Sequence, residues 1–459
     1  MSTMTKGNAA HASGWPVLAL AQRLFSNIRM SLTSRMGQAA QLVILGQVLN
    51  GMLGFGINVL MIRRLSIDDY GLFSLFNSTM ILLTGFMHFG WLETFVLFAA
   101  RYRESEHLKL LRQVVFNKIM FFSLLFTAAT FLFSPLLIWK IYHRPNFLPF
   151  LLAAAVGAWT STLFNFTMIY HRALEKFGEY FRGQVLATLV RVMLCVFLIP
   201  LGYFNLSWVA AVYVFAPLLF CGPALQPARN IFKVRPRRLN PKVYQELYDY
   251  NKWIVAASIL FMLTGNINAQ ILAKYHDNAS LSDFGVISRL TLPIYFVLAG
   301  ITTTALPRLS ASPEHAMIKN YLRRLMEFLI PAAIVIAVLG WYSPPVVNWI
   351  AGAKYGNLAT LFRLQVAVVL LTFLSSPVAL ILSAWGRSRT LLFLNITQLA
   401  VNIVAGFWWI PVYGARGAVL VNLAVNAVGL VLVYALVAYE LKFGRSRRAR
   451  RAKTAVPRD

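Results

Sequence analysis

Apolar runs of about 20 residues recur along this chain, the length a helix needs to cross a ~30 Å hydrocarbon core. Inside lipid every backbone N–H and C=O must be satisfied within its own segment, so such runs must be helices. A membrane β-barrel would show alternating ten-residue strands instead, and none is visible. The chain carries 58% hydrophobic and only 13% charged residues, against about 25% charge in an ordinary soluble chain. The fold class is therefore all-α, a polytopic membrane protein of about twelve transmembrane helices. The predicted spans lie near 40–62, 72–98, 115–139, 148–170, 184–202, 206–225, 252–273, 284–306, 325–342, 360–383, 390–410 and 416–439. The division between the fifth and sixth, at Gly202 to Ser207, is the shortest.

Two patterns occur twice. Asp69-Tyr70-Gly71-Leu72-Phe73-Ser74 opens one apolar run, and Asp283-Phe284-Gly285-Val286-Ile287-Ser288 opens another, position for position. Ile199-Pro200-Leu201-Gly202 and Ile410-Pro411-Val412-Tyr413-Gly414 each close a long apolar run. The two offsets agree at roughly 210 residues, which points to a duplicated unit. Six helices per unit is an even number, so both halves enter the membrane in the same direction. The expectation is two parallel six-helix repeats around a central cavity. Asp69 and Asp283, at helix entries, read most simply as N-terminal caps.

Charge distribution gives the orientation. The formal net charge is +28, which by itself would admit a nucleic-acid partner. Alternate loops carry nearly all of it: Arg101, Arg103, Lys109 and Arg112; Arg172, Lys176 and Arg182; Arg229 to Lys242; Lys319, Arg323 and Arg324; Arg387 and Arg389; and the tail from Lys442. The opposite set holds only Arg63, Arg64, Lys140, Arg144, Lys274, Lys354, Arg363 and Arg416. The positive-inside rule accounts for this without nucleic acid and places both termini in the cytoplasm. A basic inner face also favours anionic membrane lipids as partners.

The division is then a leader over 1–38, a first lobe over 39–225, a basic linker over 226–251, a second lobe over 252–440 and a basic tail over 441–459. The leader has no convincing signal-peptide core; Val17, Leu20, Leu24, Ile28 and Leu32 recur at helical spacing, which suits an interfacial helix or a disordered leader. Cys195 and Cys221 lie in apolar runs without metal-type spacing and read as small hydrophobes. No catalytic constellation, metal-ligand pattern or cofactor motif is visible, so no catalytic residue, metal or cofactor is expected.

Four segments carry a resemblance: Arg63-Arg64-Leu65 through Asp69-Tyr70-Gly71, His171-Arg172-Ala173-Leu174-Glu175-Lys176-Phe177-Gly178, Asp283-Phe284-Gly285 and Gly414-Ala415-Arg416-Gly417-Ala418. In order and spacing they resemble the polysaccharide-biosynthesis flippases of the multidrug/oligosaccharidyl-lipid/polysaccharide exporter (MOP) superfamily. The resemblance implies two six-helix lobes in a V shape, and movement of a polyprenyl-pyrophosphate-linked oligosaccharide from the inner to the outer leaflet. A polymerase or export partner would then take the product. Members often carry an acidic residue in the seventh helix where this chain reads Asn266-Ile267-Asn268-Ala269-Gln270. That departure weakens any ion coupling tied to the carboxylate.

With such a substrate the pyrophosphate needs fixed positive charge and the sugar needs hydrogen-bond partners. Intramembrane charges are costly, so each is a candidate. Arg191 sits mid-run in the fifth span and Arg289 about a turn into the eighth; their forks match phosphate oxygens. The competing reading has Arg289 snorkelling to the interface and Arg191 paired with a carbonyl. Arg63, at the end of the first span, joins them as a substrate-binding candidate. Asn395, Gln398 and Asn402 form one amide stripe, and Asn402 is the repeat partner of Arg191; together with Asn268 they are candidates for sugar hydroxyls, or else interhelical hydrogen-bond partners. Glu93 is the clearest acidic residue inside an apolar run. Burial would let it carry a proton as an ion-coupling group, or it pairs with an arginine.

Two other functions compete with the flippase. An ion-coupled exporter of small organic molecules would present acidic residues to its cavity, whereas the unexplained charges here are mostly arginines. A membrane-embedded glycan polymerase or transferase would need paired carboxylates or a His/Asp constellation.

Overall fold

The computed structural model describes residues 35–102, 107–222, 241–299, 315–385 and 388–454. Among them every regular element is helical and no strand occurs. Ten helices are long and apolar enough to cross a membrane, and the bent pair Leu325–Trp341 and Ser343–Ala351 makes eleven. The sixth expected span is the shorter apolar helix Leu206–Phe220, beyond which residues 223–240 lie outside the described set.

The first lobe comprises α1 (Arg35–Arg64), α2 (Ile67–His88), α3 (Trp91–Arg101), α4 (His107–Leu136), α5 (Leu148–Ala173), α6 (Phe177–Phe197) and α7 (Leu206–Phe215). The second comprises α8 (Pro241–Tyr275), α9 (Asn278–Leu290), α10 (His315–Trp341), α11 (Ser343–Ala351), α12 (Ala359–Ala384), α13 (Ser388–Tyr413) and α14 (Ala415–Thr454). Successive spans alternate in direction, so the α1–α2, α6–α7, α8–α9, α11–α12 and α13–α14 turns share one face. It is called the distal face here, opposite the start of α1 and the end of α14.

Local chemistry sets where helices stop. The two Ile-Pro echoes both end on a left-handed glycine, Gly202 with φ 73° and Gly414 with φ 56°, where a side chain would be strained. After α6 the Gly202 N–H donates to Ile199 O and the Tyr203 N–H to Leu198 O, both at 3.1 Å, the pair of bonds that closes a Schellman ending. In α4, Pro135 removes a backbone donor, and the chain loosens into a π turn over Leu137–Tyr142.

Several boundaries differ from those predicted. The second span is broken: Phe89 and Gly90 are both left-handed, with φ 43° and 69°, and α3 starts afresh at Trp91. The carbonyl opened at Phe89 accepts a 3.3 Å hydrogen bond from the Asn251 side chain. Helix α8 begins at Pro241, so residues 241–251 of the expected linker are helical; a proline at the first turn lacks only an N–H that would have no helical partner. Helix α14 runs on to Thr454, through most of the expected tail. Residues 1–34 of the expected leader lie outside the described residues.

The lobes meet along α2, which packs on α8 and α9, with α1 touching α9 and α11. The echoed hexamers form the centre of this seam. A Cβ at Gly71 would sit 2.0 Å from Asn278 O, and one at Gly285 would sit 2.4 Å from Ser74 Oγ. Each copy of the motif therefore offers its glycine to the other lobe, so that the two helices cross at a distance only small residues permit.

Candidate functional site

The seam carries charge in its interior. Arg191 projects from α6 with its guanidinium 4.8 Å from the centre of the Tyr213 ring on α7. Arg289, on α9, lies within electrostatic range of both Tyr213 and Tyr70. Phe73 meets Tyr213 edge-on at 5.2 Å, and Tyr70, Phe73 and Tyr213 are all buried. One arginine from each lobe thus lies within electrostatic range of the buried Tyr213. Arg191 Nε is buried without a hydrogen-bond partner. None of the ion pairs among the described residues involves Arg191 or Arg289. A partly buried guanidinium with no counter-charge carries a desolvation cost, which an anionic ligand would offset with charge-assisted hydrogen bonds.

A neutral polar bridge also joins the lobes. The Tyr142 hydroxyl donates to Gln270 Oε1 at 2.7 Å, and Gln270 Nε2 donates to Ser78 Oγ at 3.2 Å and to Thr79 Oγ1 at 3.3 Å. Gln270 closes the Asn-rich segment of α8, so an amide here makes links that a carboxylate could make only as acceptor.

Arg63 takes a different role from the one expected. It is exposed at the distal end of α1, donating from Nε to Ile350 O at 3.0 Å and also to Trp349 O. Lys354 answers from the second lobe, donating to Leu65 O at 2.6 Å and Arg63 O at 3.4 Å. Each cation satisfies the C-terminal carbonyls of a helix in the opposite lobe, where the helix dipole favours positive charge. Arg144 adds a third such contact, donating to His276 O and to the Asn278 side chain. In this conformation the distal face is latched, and Arg63 belongs to the latch rather than to the arginine pair.

The amide candidates sit inside the second lobe. Asn268 Nδ2 donates to Asn422 Oδ1 at 2.8 Å and Asn402 Nδ2 to Thr264 O at 2.9 Å. Gln398 lies against α14, its Nε2 2.2 Å from where a Cβ at Gly429 would be. Asn395 is half-buried, and among the described residues no hydrogen bond joins any of the four to Arg191 or Arg289. Asn268 Oδ1 and Asn402 Oδ1 are buried without partners. Their donors stitch α8, α13 and α14 together, the interhelical alternative. Glu93 is exposed in the first turn of α3, where the helix N-terminus favours an anion. The protein does not supply the burial expected to make it a proton carrier. Neither aspartate is the cap that was expected. Ser66 caps α2, its Oγ accepting from the Asp69 N–H at 3.0 Å and donating to the Asp69 carboxylate at 2.8 Å, and Asp277 caps α9 ahead of Asp283.

Tyr70, Tyr213, Gln270 and Lys354 were not candidates from the sequence. Tyr70 had a signal in its place beside Asp69 in the echoed hexamer, and Gln270 in closing the Asn-rich segment of the seventh span. Cavities of about 290 and 480 Å³ lie within single lobes, between α5 and α7 and between α10 and α12; neither is the vestibule expected between the lobes.

The family model described as "Polysaccharide biosynthesis protein" matches residues 37–313, more than half of the chain. The chain belongs to the polysaccharide biosynthesis protein family. No curated protein sequence matches it. Solved structures similar to this family member include the lipid II flippase MurJ in an inward closed conformation, with a TM-score of 0.69 and 14% identity over 87% of each chain. An outward-facing multidrug resistance MATE family transporter of the MOP superfamily matches with a TM-score of 0.59 and 14% identity, over 88% of this chain and 95% of that one. A MOP superfamily transporter from Pyrococcus furiosus, described as having a binding pocket of reversed polarity, matches with a TM-score of 0.58 and 16% identity, over 88% and 96%. At such identities these likenesses establish the fold: the family member has the two-repeat helical architecture of MOP transporters.

Proposed function

We propose that this protein is a flippase that carries a polyprenyl-pyrophosphate-linked oligosaccharide from the inner to the outer leaflet of the bacterial cytoplasmic membrane, for surface polysaccharide assembly. The observation that carries the reading is that Arg191 and Arg289, from opposite lobes, both lie within electrostatic range of one buried tyrosine, with no ion pair to either among the described residues. Two forks on two bodies suit a pyrophosphate, whose two phosphoryl groups each accept a bidentate contact. Binding would draw the lobes together around the anion, and release would follow their separation. Membership of a polysaccharide biosynthesis family supports a glycan as cargo. The charge asymmetry of the loops supports cytoplasmic termini, which makes the latched distal face the outer one.

In cells, Arg191→Ala should abolish glycan export while the protein still reaches the membrane, with lipid-linked sugar accumulating on the inner leaflet. Arg191→Lys should restore only part of the flux, since an ammonium cannot form the fork. Normal export from Arg191→Ala would remove the residue from the mechanism. Accumulation of flipped but unpolymerised units would point to a polymerase instead.

A further inference from the structure

Two charged side chains on the distal face of the second lobe stand against their local interest. Asp283 lies inside α9, past the cap at Asp277, which accepts the Ser280 N–H at 2.9 Å. Its carboxylate is half-buried and has no hydrogen bond or ion pair among the described residues. Arg416 sits in the first turn of α14, where the helix dipole disfavours a cation, and it likewise lacks a partner there. A half-buried unpaired carboxylate costs stability, and the guanidinium, though exposed, stands at the end of a helix that favours an anion.

Both line a single cavity of about 410 Å³, walled also by Ser280, Asn357, Thr360 and Tyr413, a size within the range of small-ligand sites. The cavity is built from the α8–α9 turn, the start of α12 and the α13–α14 turn. His276 fixes its floor: the imidazole Nε2 lies 2.8 Å from Ile410 O, and the left-handed Gly414 leaves room for the ring, 3.3 Å from where a Cβ would stand. The side chains offered are a carboxylate acceptor, a guanidinium donor, an amide and two hydroxyls that do both, and an exposed aromatic face. Charges of both signs in one cavity disfavour a ligand strongly charged in either sense. The set complements a neutral polyhydroxylated ring, whose hydroxyls donate and accept while its C–H face packs on an aromatic.

We propose that this cavity is a sugar-binding site on the distal face of the second lobe, separate from the arginine pair. It rests on the proposed glycan cargo, and places a second contact for the saccharide where the headgroup would emerge. The duplicated hexamer is used differently in its two copies: the Asp69 carboxylate accepts from the capping residue Ser66, while Asp283, past the cap at Asp277, is left with its carboxylate for a ligand.

The test is saturation-transfer NMR on the full-length protein in lipid nanodiscs. The probe is the free oligosaccharide released by mild acid from the polyprenyl-linked pool of cells that make this protein. Transfer to sugar ring protons is expected for the wild type and for Arg191→Ala, falling at least fivefold in Asp283→Asn and in Arg416→Gln. Arg416→Gln, exposed at a helix start, keeps the test decisive should Asp283→Asn fail to fold. No transfer in the wild type, or equal transfer in the folded variants, overturns the proposal. Should transfer be absent while Arg191→Ala still abolishes export, the sugar site falls and the flippase reading stands; transfer with normal export from Arg191→Ala gives the reverse.

Discussion

The two lobes carry the same punctuation and different chemistry. Gly71 and Gly285 both face the opposite lobe at the crossing of α2 and α9, and Gly202 and Gly414 both end a helix in the left-handed region. At those positions the requirement is steric, and both copies meet it alike. Where the repeats align on polar residues they diverge. Arg191 in the first lobe is a cation without a counter-charge, whereas its partner Asn402 donates to Thr264 O deep in the second lobe. The Asp69 carboxylate accepts from Ser66 Oγ, whereas that of Asp283 has no partner among the described residues. Packing devices thus appear in both halves, while a charge without a hydrogen-bond or ion-pair partner stands at only one member of each pair. The lesson is that a duplicated bundle can hold its shape with glycines and spend its polar positions on function.

The sharpest way to break the shared part is at the crossing. Gly71→Ala places a Cβ 2.0 Å from a backbone carbonyl that cannot rotate away, and overpacking of this kind costs about 1–3 kcal/mol or more. Gly285→Ala should cost less, because its neighbour at 2.4 Å is the mobile Ser74 hydroxyl. Gly54→Ala, with nothing within 4 Å, should be neutral or stabilising by up to about 1 kcal/mol. Melting temperatures in one detergent should fall in that order.

Next in size is the latch. Removing a charged donor from a carbonyl pair typically costs about 1.5–3 kcal/mol, so Arg63→Gln with Lys354→Gln should shift the distal face toward the open form by at least about tenfold. Disulfide cross-linking of cysteines placed across α1 and α11 would read this as a lower yield; an unchanged yield would mean that packing alone closes the face. The helix endings come third: Gly202→Ala and Gly414→Ala should each cost about 1 kcal/mol, Gly414→Ala slightly more because of the His276 ring beside it. The smallest effect is expected at the α9 cap. The Ser280 backbone N–H holds the Asp277 carboxyl below its ordinary value. Its stabilisation should be complete above the ordinary carboxylate range and fade as pH falls through it. Asp277→Ala should cost roughly 1 kcal/mol, while Asp277→Asn should retain the cap without that pH dependence.

The spans were legible because a bilayer imposes length and apolarity on each of them, and the duplication because glycines with steric duties recur at one spacing. Side-chain placement was less so. Glu93 lay in an apolar run, yet a run does not tell which of its faces the protein covers. Arg63 had the right charge at the right depth, but its partners are nearly three hundred residues further along the chain. The break at Phe89–Gly90 hid in a stretch of unchanged hydropathy, since a left-handed pair alters direction and not polarity. The early start of α8 could have been read from Asn240-Pro241, a helix-opening dipeptide. Tyr213 sends no signal of its own, being one aromatic among many in an apolar run.

The central claim is that Arg191 and Arg289 together hold a pyrophosphate between the lobes. Native mass spectrometry of the purified protein with polyprenyl pyrophosphate, against polyprenol of the same chain length, tests it without depending on the glycan. The account predicts preferential retention of the pyrophosphate by the wild type, weakened about 10–100-fold by Arg191→Gln or Arg289→Gln, with the double variant binding the two lipids equally. Undiminished preference for the pyrophosphate in the double variant would contradict it.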